Sequence, residues 1–87
     1  MHITIEVDKE AKALYFRLQE GEIAETVESP DVEEIFLDLN EQGQVLGIEV
    51  LDPGSIDIKS VFAELAKRYN IVDLSPLLNK SLVELVA

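Results

Sequence analysis

The stretch Ile35-Phe-Leu-Asp-Leu-Asn-Glu-Gln-Gly-Gln-Val-Leu-Gly-Ile-Glu-Val-Leu-Asp-Pro53 decides the fold. Two apolar-rich runs alternate with period two on either side of the polar turn Asn40-Glu41-Gln42-Gly43. That is the pattern of a β-hairpin. Asn is favoured at the first position of such a turn, and glycine supplies positive φ at its close. Pairing Leu39 with Gln44 sets Leu37 opposite Leu46 and Ile35 opposite Ile48 on one face. The same register places Phe36 opposite Gly47, so that an aromatic ring covers the glycine backbone on the other face. A slip of one residue would mix the faces, with Leu37 opposite Gly47 and Ile35 opposite Glu49. After Asp52-Pro53-Gly54 the hairpin gives way to a helix.

Upstream, the alternation continues. Ile3, Ile5 and Val7 share one face, with Thr4 and Glu6 on the other. Leu14, Phe16 and Leu18 alternate with Ala13, Tyr15 and Arg17 beyond the polar corner Asp8-Lys9-Glu10-Ala11. Gln19-Glu20-Gly21-Glu22 marks a turn, Ile23 to Glu28 a third strand, and Ser29-Pro30-Asp31 its break. Five short strands joined by tight turns predict an antiparallel meander.

Downstream the period becomes helical. Ile58, Val61, Phe62, Leu65 and Tyr69 form one apolar stripe. Ser55 or Asp57 is placed to cap its start, Lys67 and Arg68 suit its negative end, and Asn70 its stop. Ser75 and Pro76 predict the N-cap and first residue of a second, short apolar helix reaching Val86. It is too short to stand alone. The chain is therefore expected to be one α+β domain over residues 1–87: a five-stranded antiparallel meander, one amphipathic helix and a short C-terminal helix. One helix covers one sheet face. The other would carry Ala13, Tyr15, Phe36 and Val45, and either the C-terminal helix or a second copy is expected to cover it, with a homodimer the economical answer.

A chain of 87 residues buries roughly 60–65% of its unfolded surface, enough for a single core. No apolar run approaches the ~20 residues that span a bilayer, so no membrane association is expected. The first residues have neither the basic nor the long apolar segment of a signal peptide, and a cytoplasmic location follows as the expectation. Cysteine is absent, which removes disulfides and thiolate chemistry together.

The formal charge of −11 is unevenly spread. Residues 1–54 hold fourteen acidic and three basic side chains, whereas residues 55–87 hold four of each. Such a field repels phosphate backbones, so nucleic acid is not an expected partner. Lys59, Lys67, Arg68 and Lys80, in the neutral segment, are the only support for a DNA-binding reading. The same field attracts a basic protein and speeds encounter with it.

Few residues suggest chemistry. His2 is the single histidine, with no neighbouring nucleophile and no second ligand, which argues against a zinc or triad site. Carboxylate pairs such as Asp8/Glu10, Asp31/Glu33/Glu34 and Glu49/Asp52 are what an acidic strand face generates, and none has the spacing of a calcium loop. Gly21, Gly43, Gly47 and Gly54 fit turns and a strand contact rather than a phosphate cradle. No catalytic residue, metal or cofactor is expected. Tyr15 and Arg17 share a strand face and are of the types that anchor interfaces.

Three segments carry a resemblance. Ala11-Lys12-Ala13-Leu14-Tyr15-Phe16-Arg17-Leu18, Glu25-Thr26-Val27-Glu28 and Leu37 to Leu51 resemble, in order and spacing, the small prokaryotic domain-of-unknown-function family numbered 2283. The likeness covers residues 5–52, and Lys12 departs from it where the family often has an acidic residue. The resemblance implies a compact antiparallel sheet and a bacterial or archaeal source. It also implies a likeness to antitoxin-like partners of small basic toxins, and no assigned activity.

The sequence thus favours a non-enzymatic protein-interaction module whose acidic sheet meets a basic partner through Tyr15, Arg17, Glu25, Glu28, Asp38 and Glu49. The alternative is a small-molecule binder or enzyme with a carboxylate site, Asp38 and Glu49, between sheet and helices.

Overall fold

The computed structural model describes residues 2–30 and 32–86. Asp31, assigned above to the break after the third strand and to an acidic cluster, lies outside the described residues, as do Met1 and Ala87. Five strands form one sheet: β1 (Thr4–Asp8), β2 (Ala13–Arg17), β3 (Glu25–Ser29), β4 (Val32–Leu39) and β5 (Val45–Leu51). Helix α1 (Ile58–Tyr69) and the short α2 (Lys80–Glu84) follow, so the chain is an α+β fold with the expected inventory of elements. All four strand pairings are antiparallel.

The connectivity is not a simple meander. The strand order is β1-β2-β5-β4-β3, so β2 pairs with β5 and the chain passes to the far edge before returning through β4. Sequential hairpins account for three pairings, and the fourth joins the two halves. A meander would have left β5 at an edge. Here β5 is central and its apolar residues are covered from both sides, which suits a strand in which six of seven residues are apolar or glycine.

The β4–β5 register also differs from expectation, by two residues. Ile35 faces Val50, Leu37 faces Ile48 and Asp38 faces Gly47, while Leu39 faces Val45 across a bulge. The turn is as expected: Gly43, with φ 77°, donates its N–H to the Asn40 carbonyl at 3.0 Å. Asn40 Oδ1 accepts from both the Gln42 and Gln44 amides. The extra residue is absorbed next to the turn, where a bulge costs the ladder least. Its effect is to exchange two side chains. Val45 joins the core, whereas Leu46 is buried outside that cluster, against Gly21.

The core lies between one sheet face and the helical segment. Leu14, Phe16, Ile35, Leu37, Ile48 and Val50 meet Ile58, Phe62 and Leu65 of α1. The rings of Phe16 and Phe62 pack edge to face with centroids 5.2 Å apart, the geometry the ring quadrupole favours. Asn70 ends α1 in the left-handed conformation, its N–H returned to the Ala66 carbonyl. Asp57 occupies the N-cap position, but its carboxylate accepts from the Ser60 hydroxyl rather than from a backbone amide.

Ser75 and Pro76 do not begin the second helix. They make a 3₁₀ turn over Ser75–Leu77, with the Ser75 N–H donating to Asp73 Oδ1. Helix α2 starts five residues later, capped by Asn79, whose Oδ1 accepts from the Leu82 N–H at 2.8 Å. Leu74, Leu78 and Val86 join the same core as α1. The C-terminal segment therefore completes the covered face and leaves the other sheet face open.

Candidate partner-binding face

Strand alternation decides which side chains the open face carries. Glu6, Tyr15, Glu49, Phe36 and Glu28 form one cross-strand row, and Thr4, Arg17, Gly47, Asp38 and Thr26 the next. The open face thus brings Tyr15, Arg17, Glu28, Asp38 and Glu49 together, as expected. It does not include Glu25. That residue pairs with Leu39, whose side chain faces the core, so Glu25 points to the helix side of the edge strand β3.

Gly47 makes the centre of this face. Without a side chain it leaves a corridor across β5, and Tyr15 from β2 lies in it; a Cβ at position 47 would collide with the phenol. The glycine is therefore covered by Tyr15 and not by Phe36, a consequence of the shifted register. Through the corridor the Tyr15 hydroxyl donates to Asp38 Oδ2 at 2.6 Å, and the Thr26 hydroxyl donates to Asp38 Oδ1 at 2.6 Å. One carboxylate thereby ties β2, β3 and β4 together across the surface of β5. Short hydrogen bonds of this kind to an ionised acceptor are the stronger sort.

Burial pushes the Tyr15 phenol up to about 12, helped by its hydrogen bond to Asp38 and by the negative charge there, with Arg17 opposing. The phenol is thus held neutral, as a donor. It is unsuited to act as a base or nucleophile. The Arg17 guanidinium lies 5.4 Å from the Tyr15 ring centroid and 3.7 Å from Glu6 Oε1. Both candidate anchors are thus held by acidic neighbours, which fixes their orientation.

Around this locked centre stand Glu6, Asp8, Glu28, Glu34 and Glu49. Glu28, Glu34 and Glu49 make no hydrogen bond or ion pair among the described residues. A shallow depression of about 200 Å³ opens beside Tyr15, lined by Glu6, Asp8 and Glu49 among others. No group of three or more metal-ligating side chains occurs among the described residues.

Asp38 and Glu49 do not lie between sheet and helices. Both stand on the open face, and the interior beneath the helices is built of Leu, Ile, Val and Phe, with Ser29 the one buried polar side chain among the described residues. Thr26 is the functional neighbour that sequence reasoning missed. Its only signal was a shared face with Asp38, visible once the β3–β4 register is known.

With this geometry in place the comparisons fall on the sheet. Residues 4–52 match the family described as "Protein of unknown function (DUF2283)". The chain belongs to the DUF2283 family. The matched segment runs from the first residue of β1 to one residue past β5, so it contains all five strands and neither helix. No curated protein and no solved structure matches the chain. No helix among the described residues is long and apolar enough to cross a membrane.

Proposed function

We propose that this DUF2283 chain is a non-enzymatic interaction module of a prokaryotic cytoplasm that binds a small basic protein, in the manner of an antitoxin, on its open sheet face. One observation carries the reading. The face that no helix covers has a rigid aromatic centre, Tyr15 and Phe36, ringed by carboxylates with a single guanidinium. Interfaces place their anchors in such centres, while charge at the rim governs encounter rate and partner choice. The unpaired carboxylates of Glu28 and Glu49 are free to meet Lys and Arg of a partner. The locked Tyr15–Asp38–Thr26 group lowers the entropy lost on binding.

The reading is tested by co-expressing the chain with the small basic protein encoded beside it. A complex is expected that dissociates as salt is raised. In the Glu28→Lys/Glu49→Lys variant, association should slow by about tenfold or more and lose much of its salt dependence. Absence of any complex at low salt, or a complex indifferent to both charge reversals, refutes the proposal.

A further inference from the structure

The two edges of the sheet are not alike. The β3 edge carries a bulge between Glu28 and Ser29 and is followed by Pro30, devices that discourage strand addition. The β1 edge, Thr-Ile-Glu-Val-Asp, has no proline, glycine, lysine or bulge. Its outward backbone groups can be identified. Leu18 N donates to Leu46 O and Asp52 N to Lys12 O, so even-numbered residues around β2 turn their backbone toward β5. Ala13, Tyr15 and Arg17 therefore turn toward β1, where their partners are Asp8, Glu6 and Thr4. By alternation, the N–H and C=O of Ile5 and Val7 point away from the sheet. No hydrogen bond among the described residues takes them up.

We infer that β1 is the edge through which two copies of this chain join, antiparallel about a twofold axis at Ile5, into one continuous ten-stranded sheet. The sequence of the edge selects both the occupant and the register. With Ile5 on Ile5, the two residues exchange their free N–H and C=O groups. Ile3 then faces Val7 on the helix side, Thr4 faces Glu6 on the open side, and His2 faces Asp8. Every apolar residue meets an apolar one, and no like charges oppose. A slip one way sets Glu6 directly against Glu6, which like charge disfavours. A slip the other way, Thr4 on Thr4, shortens the ladder.

The helix side of the edge is also left apolar. Val7 is 39% exposed and Val72 is 42% exposed, with Val72 and Ile71 lining a cleft that reaches His2 and Thr4. Strand addition covers surface of this kind. The contact is small, so the dimer is weak and concentration-dependent. Joining the β1 edges leaves both open faces free and on one side of the enlarged sheet. The inference specifies the dimer expected from the sequence but does not draw on the partner-binding reading, and its tests use this chain alone.

Sedimentation of the full chain from micromolar to millimolar concentration should show its mass rise twofold. Val7→Pro removes an outward donor and Val7→Lys adds an edge charge, and both variants should stay monomeric with unchanged helical and strand signal. Glu28→Lys, on the open face, should dimerise as before. Because the chain has no cysteine, register can be read by oxidation. A mixture of Thr4→Cys and Glu6→Cys copies should cross-link, while neither variant alone does so. A chain monomeric at millimolar concentration, a dimeric Val7→Lys, a dimer abolished by Glu28→Lys, or cross-linking of Glu6→Cys with itself each overturns the inference.

Discussion

Gly47 shows how one missing side chain organises a surface. Its bare Cα lets Tyr15 cross β5 and donate to Asp38, which in turn accepts from Thr26 on the next strand but one from β5. Gly47→Ala should expel the ring, since the added methyl meets the phenol itself and not a flexible chain end. A loss of about 1–3 kcal/mol is expected, as for other overpacked sites. Chemical denaturation should report it as a lower midpoint, and near-ultraviolet dichroism as a changed tyrosine band. The phenol also carries a pH signature. Its acidity constant is raised from 10.0 to about 12 in the fold, so the neutral form is the one the structure favours. Its contribution to stability is complete below pH 10 and disappears as the pH climbs through about 12. Alkaline titration followed by phenolate absorbance should show a late component that Tyr15→Phe removes and Asp38→Asn shifts downward.

Among the elements, the hairpins show what a sequence states and what it conceals. The turn Asn40–Gly43 was legible because its chemistry is local: Asn caps it, and glycine takes the positive φ. The register was not legible. A bulge beside the turn shifts pairing by two residues and keeps Ile35 and Leu37 on the core face, so apolar alternation is equally satisfied before and after. Only Val45 and Leu46 exchange places, and both are buried in either case. The β1–β2 corner makes a similar point. Asp8 Oδ1 accepts from the Ala11 N–H, and Lys12 closes the corner with φ 54°, a left-handed conformation in which a long side chain is strained. The departure of Lys12 from the family's acidic preference is thus explained locally as a residue ill-suited to its backbone. Lys12→Gly should raise stability by about 0.5–1 kcal/mol, read as a higher melting temperature. If Lys12→Gly melts lower, the strain argument fails.

For the molecule as a whole, the α+β class, the five strands and the α1 stripe were legible because each follows from a short-range period. The strand order was not, since β2–β5 pairing joins residues more than thirty positions apart and leaves no local trace. Of the candidate face, Tyr15, Arg17, Glu28, Asp38 and Glu49 were found by alternation alone, whereas Glu25 was misplaced because the phase of β3 depends on its partner. That same pairing has a further consequence. The strands β1 and β2 are joined to everything that follows only through residues 18–24 and through the β2–β5 seam. Both ends of this connection are pinned, by Leu18 and Gln19 amides on the Leu46 carbonyl and by the Ala24 amide on the Leu39 carbonyl, while residues 19–24 between them are exposed. Cutting the peptide bond after Gly21 should therefore yield a two-piece protein that elutes as one species, because Leu14 and Phe16 remain seated in the core. The N-terminal hairpin is in effect a built-in ligand of the remainder, and its affinity could be measured as that of any other peptide.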